Sequence, residues 1–188
     1  MITMKDIIEE GHPTLRSVAE PVEFPLSDEL RKTALEMHEF LVNSQNEEIA
    51  EKYDLRPGVG LAAPQINVNK QIFAVHIMEY DEEGNEVGPI LSEIIFNPKV
   101  ISHSVQQVAL KEGEGCLSVN REVKGYVPRP KRVKFTYQDI DGNEHTLKLR
   151  DYEAIVTQHE LDHLKGIFFY DHINEENPFA QDDNLELL

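Results

Sequence analysis

The sequence is short of several things at once. Its 188 residues include a single cysteine, Cys116. One thiol cannot form an internal disulfide, so nothing here requires an oxidising compartment, and a cytoplasmic location is expected. Positive charge is scarce. Eighteen lysines and arginines stand against 35 aspartates and glutamates, for a formal net charge of −17. That balance argues against a general affinity for nucleic acid or anionic membrane. No apolar run approaches the ~18–20 residues of a membrane span. The first ten residues turn acidic early and hold no apolar stretch long enough for a secretory signal. With no repeat, linker or low-complexity tract, a single catalytic domain over residues 1–188 is expected, long enough for one hydrophobic core.

What is present is periodic. A short helix is expected over residues 3–10, capped by Thr3 and ended by Gly11-His12-Pro13. A second helix is expected after Ser27. Leu30, Ala34, Met37 and Leu41 mark its buried face, and His38 lies off that stripe and is expected to be exposed. The polar stretch 43–54 reads as a separate short helix or a surface excursion. Strands are expected at 71–78, over 94–105 as one or two segments, and at 105–110. Residues 132–140 alternate, with Val133, Phe135 and Tyr137 on one face, and Asp141-Gly142-Asn143 turns the chain into a return strand at 146–149. Asp151 is expected to cap a last helix that Gly166 ends. His76, His103 and His145 sit alone in or beside strands and read as structural or surface residues. The tail 174–188 is expected to be a loose extension or a short edge strand.

The last helix carries Gln158-His159-Glu160-Leu161-Asp162-His163, an H-E-x-x-H pattern. Residues four apart share a helix face, so two imidazoles at this spacing can bind one metal ion, with the intervening carboxylate placed to handle the proton of a water. The third ligand decides the class of enzyme. The pattern H-E-x-x-H-x-x-G-x-x-H fails, because Phe169 stands at its last position. A carboxylate from the tail (Glu175, Glu176 or Glu186) would make a zinc peptidase. Upstream, Glu112-Gly113-Glu114-Gly115-Cys116-Leu117-Ser118 offers the only thiol. A His₂Cys set leaves one tetrahedral position open for water, as hydrolysis requires. A structural zinc in a binding module would need a fourth ligand, and His103, His145 and His172 lack motif spacing to the other three.

Gly58-Val59-Gly60-Leu61-Ala62-Ala63-Pro64-Gln65-Ile66 has two of the three glycines of a dinucleotide fingerprint and no phosphate-loop lysine, so it is a poor phosphate loop. Gln65 is a lone polar group among small apolar residues. This stretch, Glu114-Gly115-Cys116-Leu117-Ser118 and Gln158-His159-Glu160-Leu161-Asp162-His163 resemble, in order, the three motifs of the peptide deformylases. The likeness begins at Gly11-His12-Pro13-Thr14-Leu15-Arg16 and so covers nearly the whole chain. The excursion at 43–57 and the tail resemble the longer type II class found mostly in Gram-positive bacteria.

The resemblance implies a hydrolase that removes the formyl group from the N-terminal formylmethionine of new polypeptides. It implies Cys116, His159 and His163 as metal ligands, with Fe²⁺ expected and Ni²⁺, Co²⁺ or Zn²⁺ as replacements. Glu160 would be the general base, with Gln65 and the Leu117 N–H stabilising the oxyanion. Val59 and Gly60 would pair with an extended peptide, and Val59, Ile155 and Val156 would line the methionine pocket. Glu114 and Arg129 match positions that pair near the site, and Asp162 is weighed equally as a supporting group and as an exposed helix residue. Partners are N-formylmethionyl nascent peptides, with transient ribosome proximity and no membrane or direct nucleic-acid contact. The element order and the resemblance together lead us to expect an α+β fold, with mixed or antiparallel sheets packed around a central C-terminal helix.

Overall fold

The computed structural model describes residues Met1–Leu188. Strand β1 (Gly60–Ala62), β2 (Ile72–Tyr80), β3 (Glu86–His103), β6 (Arg132–Gln138) and β7 (Glu144–Arg150) form one antiparallel sheet in the order β1-β2-β3-β6-β7. Strands β4 (Gln107–Ala109), β5 (Arg129–Pro130) and β8 (Leu185–Leu187) form a smaller sheet in the order β5-β4-β8, where β8 runs parallel to β4. Helices α1 (Asp28–Ser44), α2 (Glu47–Tyr53) and α3 (Asp151–His163) complete the α+β architecture.

The apolar run in β2 has a direct cause. Successive strand residues point to opposite faces, and here both faces are covered. Ile72 and Ala74 pack with Ala34, Met37, Phe40 and Leu41 of α1. Phe73, Val75 and Ile77 pack with Ala154, Val156 and Leu161 of α3, joined by Val133, Phe135 and Tyr137 of β6. The large sheet therefore lies between α1 and α3. Helix α3 buries Ala154, Ile155, Val156, Thr157, Glu160, Leu161 and His163, which is most of its circumference. A helix so enclosed can hold polar side chains away from water.

Several expectations hold. Ser27 caps α1 by accepting from the Leu30 N–H, the stretch 43–54 contains α2, and the tail ends in the edge strand β8. Others need correction. Residues 3–10 form only a three-residue 3-10 turn at Met4–Asp6. The backbone beyond it is drawn away: the Ile8 N–H donates to the Gln65 carbonyl and the Glu10 N–H to that of Ser118. His12, read as part of a stop, caps a second 3-10 turn at Pro13–Arg16. His38 is half-buried, because its Nε2 lies 2.7 Å from Ser92 Oγ, which in turn lies 2.8 Å from His76 Nδ1. Of the stretch 94–105, expected as one or two strands, residues 94–103 do lie in a single strand, β3; what differs is its extent, since it begins at Glu86, stops at His103 and is irregular near Asn97, where φ is 48°. Asp151 does not cap α3. It is the first helical residue, with φ at 55°, and its carboxylate faces Arg150 Nε at 3.1 Å and Lys131 Nζ at 3.5 Å.

Candidate active site

Three segments converge on one cleft of about 380 Å³. The first is the loop and edge strand Gly58–Ala62, held by antiparallel pairing of Gly60, Leu61 and Ala62 with Val75, Ala74 and Phe73. The second is the irregular segment between β4 and β5 that carries Cys116. The third is the inward face of α3. Val59, Gly60, Gln65, Cys116, Leu117, Ile155, Val156, His159 and Glu160 all line the cleft.

Cys116, His159 and His163 come together at its floor, each offering one ligand atom, and those atoms lie within 4.8 Å of one another. Cys116 Sγ lies 3.4 Å from His163 Nε2. Bonds of ~2.3 Å to sulfur and ~2.1 Å to nitrogen at a tetrahedral angle would place those two atoms about 3.6 Å apart, so the pair fits a shared ion. The orientation of His159 fits too. Its Nδ1 lies 2.9 Å from Glu114 Oε1, a carboxylate that can only accept, so Nδ1 donates there and Nε2 is the atom left to face an ion. Burial alone would lower the His159 pKa, but Glu160, Cys116 and Glu114 outweigh it and raise it well above the usual value. The field that favours a proton on that ring favours any cation beside it. His163 is pushed well below its usual value by burial and by the charge of His159, so its ring is neutral near pH 7.

Phe169, where the longer histidine motif would place a ligand, stacks on His159 with ring centroids 6.0 Å apart and planes 15° apart. The tail carboxylates are elsewhere: Glu186 pairs with Lys131, and Glu175 and Glu176 are exposed. The peptidase arrangement weighed from the sequence is therefore not assembled.

Glu160 is 4% exposed, and its Oε1 is buried without a hydrogen-bond partner. Burial pushes its carboxyl up to about 7, against the opposing pull of His159 and Arg129. A Cβ on Gly60 would stand 2.6 Å from Glu160 Oε2, so the glycine is what lets the carboxylate reach the edge strand. Gln65 is 1% exposed. Its Oε1 accepts from the Ala62 N–H at 2.9 Å, which turns its Nε2 toward Ser118 Oγ at 3.1 Å and Cys116 Sγ at 3.4 Å. The Leu117 N–H makes no hydrogen bond within the protein.

Behind His159, the guanidinium of Arg129 holds Glu114 through a fork, Nε to Oε2 at 2.8 Å and Nη2 to Oε1 at 3.0 Å. Its Nη1 donates to Asp162 Oδ2 at 2.8 Å. Burial alone would raise the Glu114 carboxyl, but the hydrogen bonds from His159 and Arg129 prevail and hold it at about 2. Asp162 is thus tied to the buried pair, and His172 Nε2 lies 2.7 Å from the same Oδ2. In the sequence, His172 lacks ligand spacing to the other three. Its contact is with a carboxylate several links away from the ligand, and no motif encodes that. Gln45, Arg56, Leu110 and Tyr152 also line the cleft and carry no sequence signal.

Comparison with known proteins gives a consistent answer. The polypeptide deformylase family model matches residues 4–179. A peptide deformylase of Latilactobacillus sakei is 60% identical over 188 residues, covering 100% of both chains. Peptide deformylase 2 of Bacillus cereus is 56% identical, covering 100% of this chain and 99% of its own. Among solved structures, the peptide deformylase of Thermus thermophilus superimposes with a TM-score of 0.71 at 30% identity, covering 94% of this chain and 88% of its own.

Proposed function

Because this chain belongs to the polypeptide deformylase family, we propose that Cys116, His159, His163, Glu160, Gln65 and Leu117 carry out its reaction, the removal of the N-formyl group from nascent polypeptides. The enzyme is a metal-dependent hydrolase acting on N-formylmethionyl peptides. The observation that carries the assignment of residues is the convergence of one thiol and two imidazoles beside a buried carboxylate.

A divalent ion held by Cys116, His159 and His163 would supply Lewis acidity to a water and to the formyl oxygen at the floor of the cleft. The remaining roles fall to the protein. Glu160 takes the proton of the attacking water and delivers it to the leaving amine. As the formyl oxygen gains charge, the Gln65 amide and the free Leu117 N–H donate to it. One such donor is worth roughly 3 kcal/mol of barrier. Val59 and Gly60 pair with the peptide backbone as an added strand, and Val59, Ile155 and Val156 surround the methionine side chain. We assign Fe²⁺ as the native ion, with Ni²⁺, Co²⁺ or Zn²⁺ able to replace it. A His₂Cys set binds Zn²⁺ more tightly than Fe²⁺, so cellular supply and not affinity decides the loading. Membership of the longer type II class is supported by the α2 excursion, the β8 tail and the relatives from Bacillus. We place the enzyme in the cytoplasm, where its substrates are made, with brief ribosome proximity and no broad electrostatic grip on RNA.

The test is direct. The protein incubated with a formyl-Met tripeptide should release formate and expose one free amine per formate, leaving the peptide bonds intact. Cleavage of an internal peptide bond without formate release would favour the peptidase reading. A second expectation concerns Gly60. In Gly60→Ala the new methyl displaces Glu160, since it would stand 2.6 Å from Oε2. A shift of that size should lower kcat/KM by about 10²-fold with metal content unchanged. A loss of less than threefold would show that the close approach is not needed.

A further inference from the structure

The hydrogen bonds behind His159 do not stop at Arg129. They run from His159 Nδ1 to Glu114 (2.9 Å), from Glu114 to Arg129 (2.8 and 3.0 Å), from Arg129 to Asp162 (2.8 Å) and from Asp162 to His172 (2.7 Å). The inner members are deeply buried, with Glu114 4% and Arg129 3% exposed at the side chain. Asp162 is 18% exposed and His172 35%. The chain of contacts therefore passes from the floor of the cleft to the protein surface.

We propose that His172 is a positioning residue for the metal centre, acting through Asp162, Arg129 and Glu114 on the ring of His159. This rests on the reading of Cys116, His159 and His163 as the ligands.

The physical argument is one of constraint. A guanidinium gripped on one edge by Glu114 can still rock about that fork. Its third contact, to Asp162, fixes the plane. Asp162 is the weakest anchor in the set, because it is the more exposed of the two carboxylates and uses one oxygen, Oδ2, for both Arg129 and His172. A carboxylate only accepts, so His172 donates through Nε2, and this donor holds Oδ2 against Arg129 and away from solvent. His172 is itself placed by the 3-10 turn Phe169–His172, the same turn that stacks Phe169 on His159. Supporting contacts one step from a ligand commonly govern metal affinity by about 10–100-fold. His172 stands further out, and a smaller effect of the same kind follows. It is not among the residues that line the cleft, so substrate binding should be untouched.

The test compares wild type with His172→Phe, which keeps a ring and removes the donor, and with His172→Gln, which keeps a side-chain N–H donor. Each protein is loaded with Co²⁺, and three quantities are read: the rate of metal loss to a chelator, the visible d–d spectrum of the bound Co²⁺, and kcat and KM on a formyl-Met peptide. The expected result is metal loss about 5-fold faster in His172→Phe, an altered d–d spectrum, lower kcat at unchanged KM, and recovery toward wild type in His172→Gln. Adding Asp162→Asn to His172→Phe should cost less than the sum of the two single changes, because both cut the same path. A His172→Phe protein that loses metal at the wild-type rate with an unchanged spectrum overturns the proposal, even if its melting temperature falls. Should His172→Phe fail to fold, His172→Gln and His172→Ala are compared by the same readings, and equal metal loss in the two would equally overturn it. Wild type that binds no Co²⁺ through these ligands would instead refute the ligand assignment.

Discussion

Glu160→Gln should fold, bind its metal at wild-type stoichiometry and lose turnover by about 10³-fold or more. General-base removal typically costs about 10²–10⁴-fold, and this carboxylate is proposed to serve twice, on the water and on the leaving amine. Glutamine is nearly isosteric, so the close contact with Gly60 and the packing of α3 are kept. What changes is the loss of a group that can accept and return a proton. The measurement is kcat on a formyl-Met peptide at matched metal content, and activity within tenfold of wild type would remove Glu160 from the role.

The pH dependence gives an independent reading. Burial pushes the Glu160 carboxyl up to about 7, and the positive charge of an ion held by Cys116, His159 and His163 pulls it back down. A base acts when deprotonated, so kcat/KM should fall as pH drops through this pKa, with the acid limb at or below about 7. In Glu160→Gln, the residual rate should show no such limb. An unchanged acid limb would assign the titration to another group.

The helix that carries this residue was legible as a pattern, and its surroundings were less so. Period-2 alternation placed β6, and helical spacing with a cap placed α1, because both signals are local. The pairing of His159 with His163 followed from helix geometry alone. Chain geometry could not bring Cys116 to them, since His159 lies 43 positions after Cys116 and only the fold closes that gap. Recognition of three ordered motifs supplied that link. Local signals failed where tertiary contacts took over. Residues 8–10 pair with the backbone of Gln65 and Ser118 and so leave the helix their sequence favours, while Asp151 turns its carboxylate to Lys131 and Arg150. His38 looked solvent-facing on the helical wheel, yet its Nε2 meets Ser92 on β3 and its ring packs edge-on against His76 on β2. The path from Glu114 to His172 draws on four separate segments, so no window of sequence contains it.

Cys116→Ala should abolish stable metal binding. The Cys116 thiolate is one of the three proposed ligands and the only anionic one, so its removal leaves two imidazoles to hold the ion alone. Affinity is expected to fall on the order of 10³-fold, enough that the purified variant carries almost no metal after gel filtration. The fold should survive. Cys116 packs in a small cluster with Leu15, Val119, Val127, Phe168 and Phe169, and trimming one sulfur there costs about 1–2 kcal/mol. Gln65 keeps Ser118 Oγ as an acceptor when Sγ is gone. The two effects separate in a thermal-shift experiment. Added metal raises the melting temperature of wild type, because it binds the folded state preferentially, and it should leave the variant nearly unmoved. Full metal occupancy in Cys116→Ala would place the third ligand elsewhere, with the tail carboxylates the first candidates. Glu186→Gln tests one of them: Glu186, in β8 of the small sheet, pairs with Lys131, and its loss should leave metal content and turnover intact. Cys116→Ser distinguishes charge from bulk. A serine hydroxyl fills nearly the same volume but stays neutral at pH 7, so it should bind metal almost as poorly as alanine if the thiolate charge is what holds the ion.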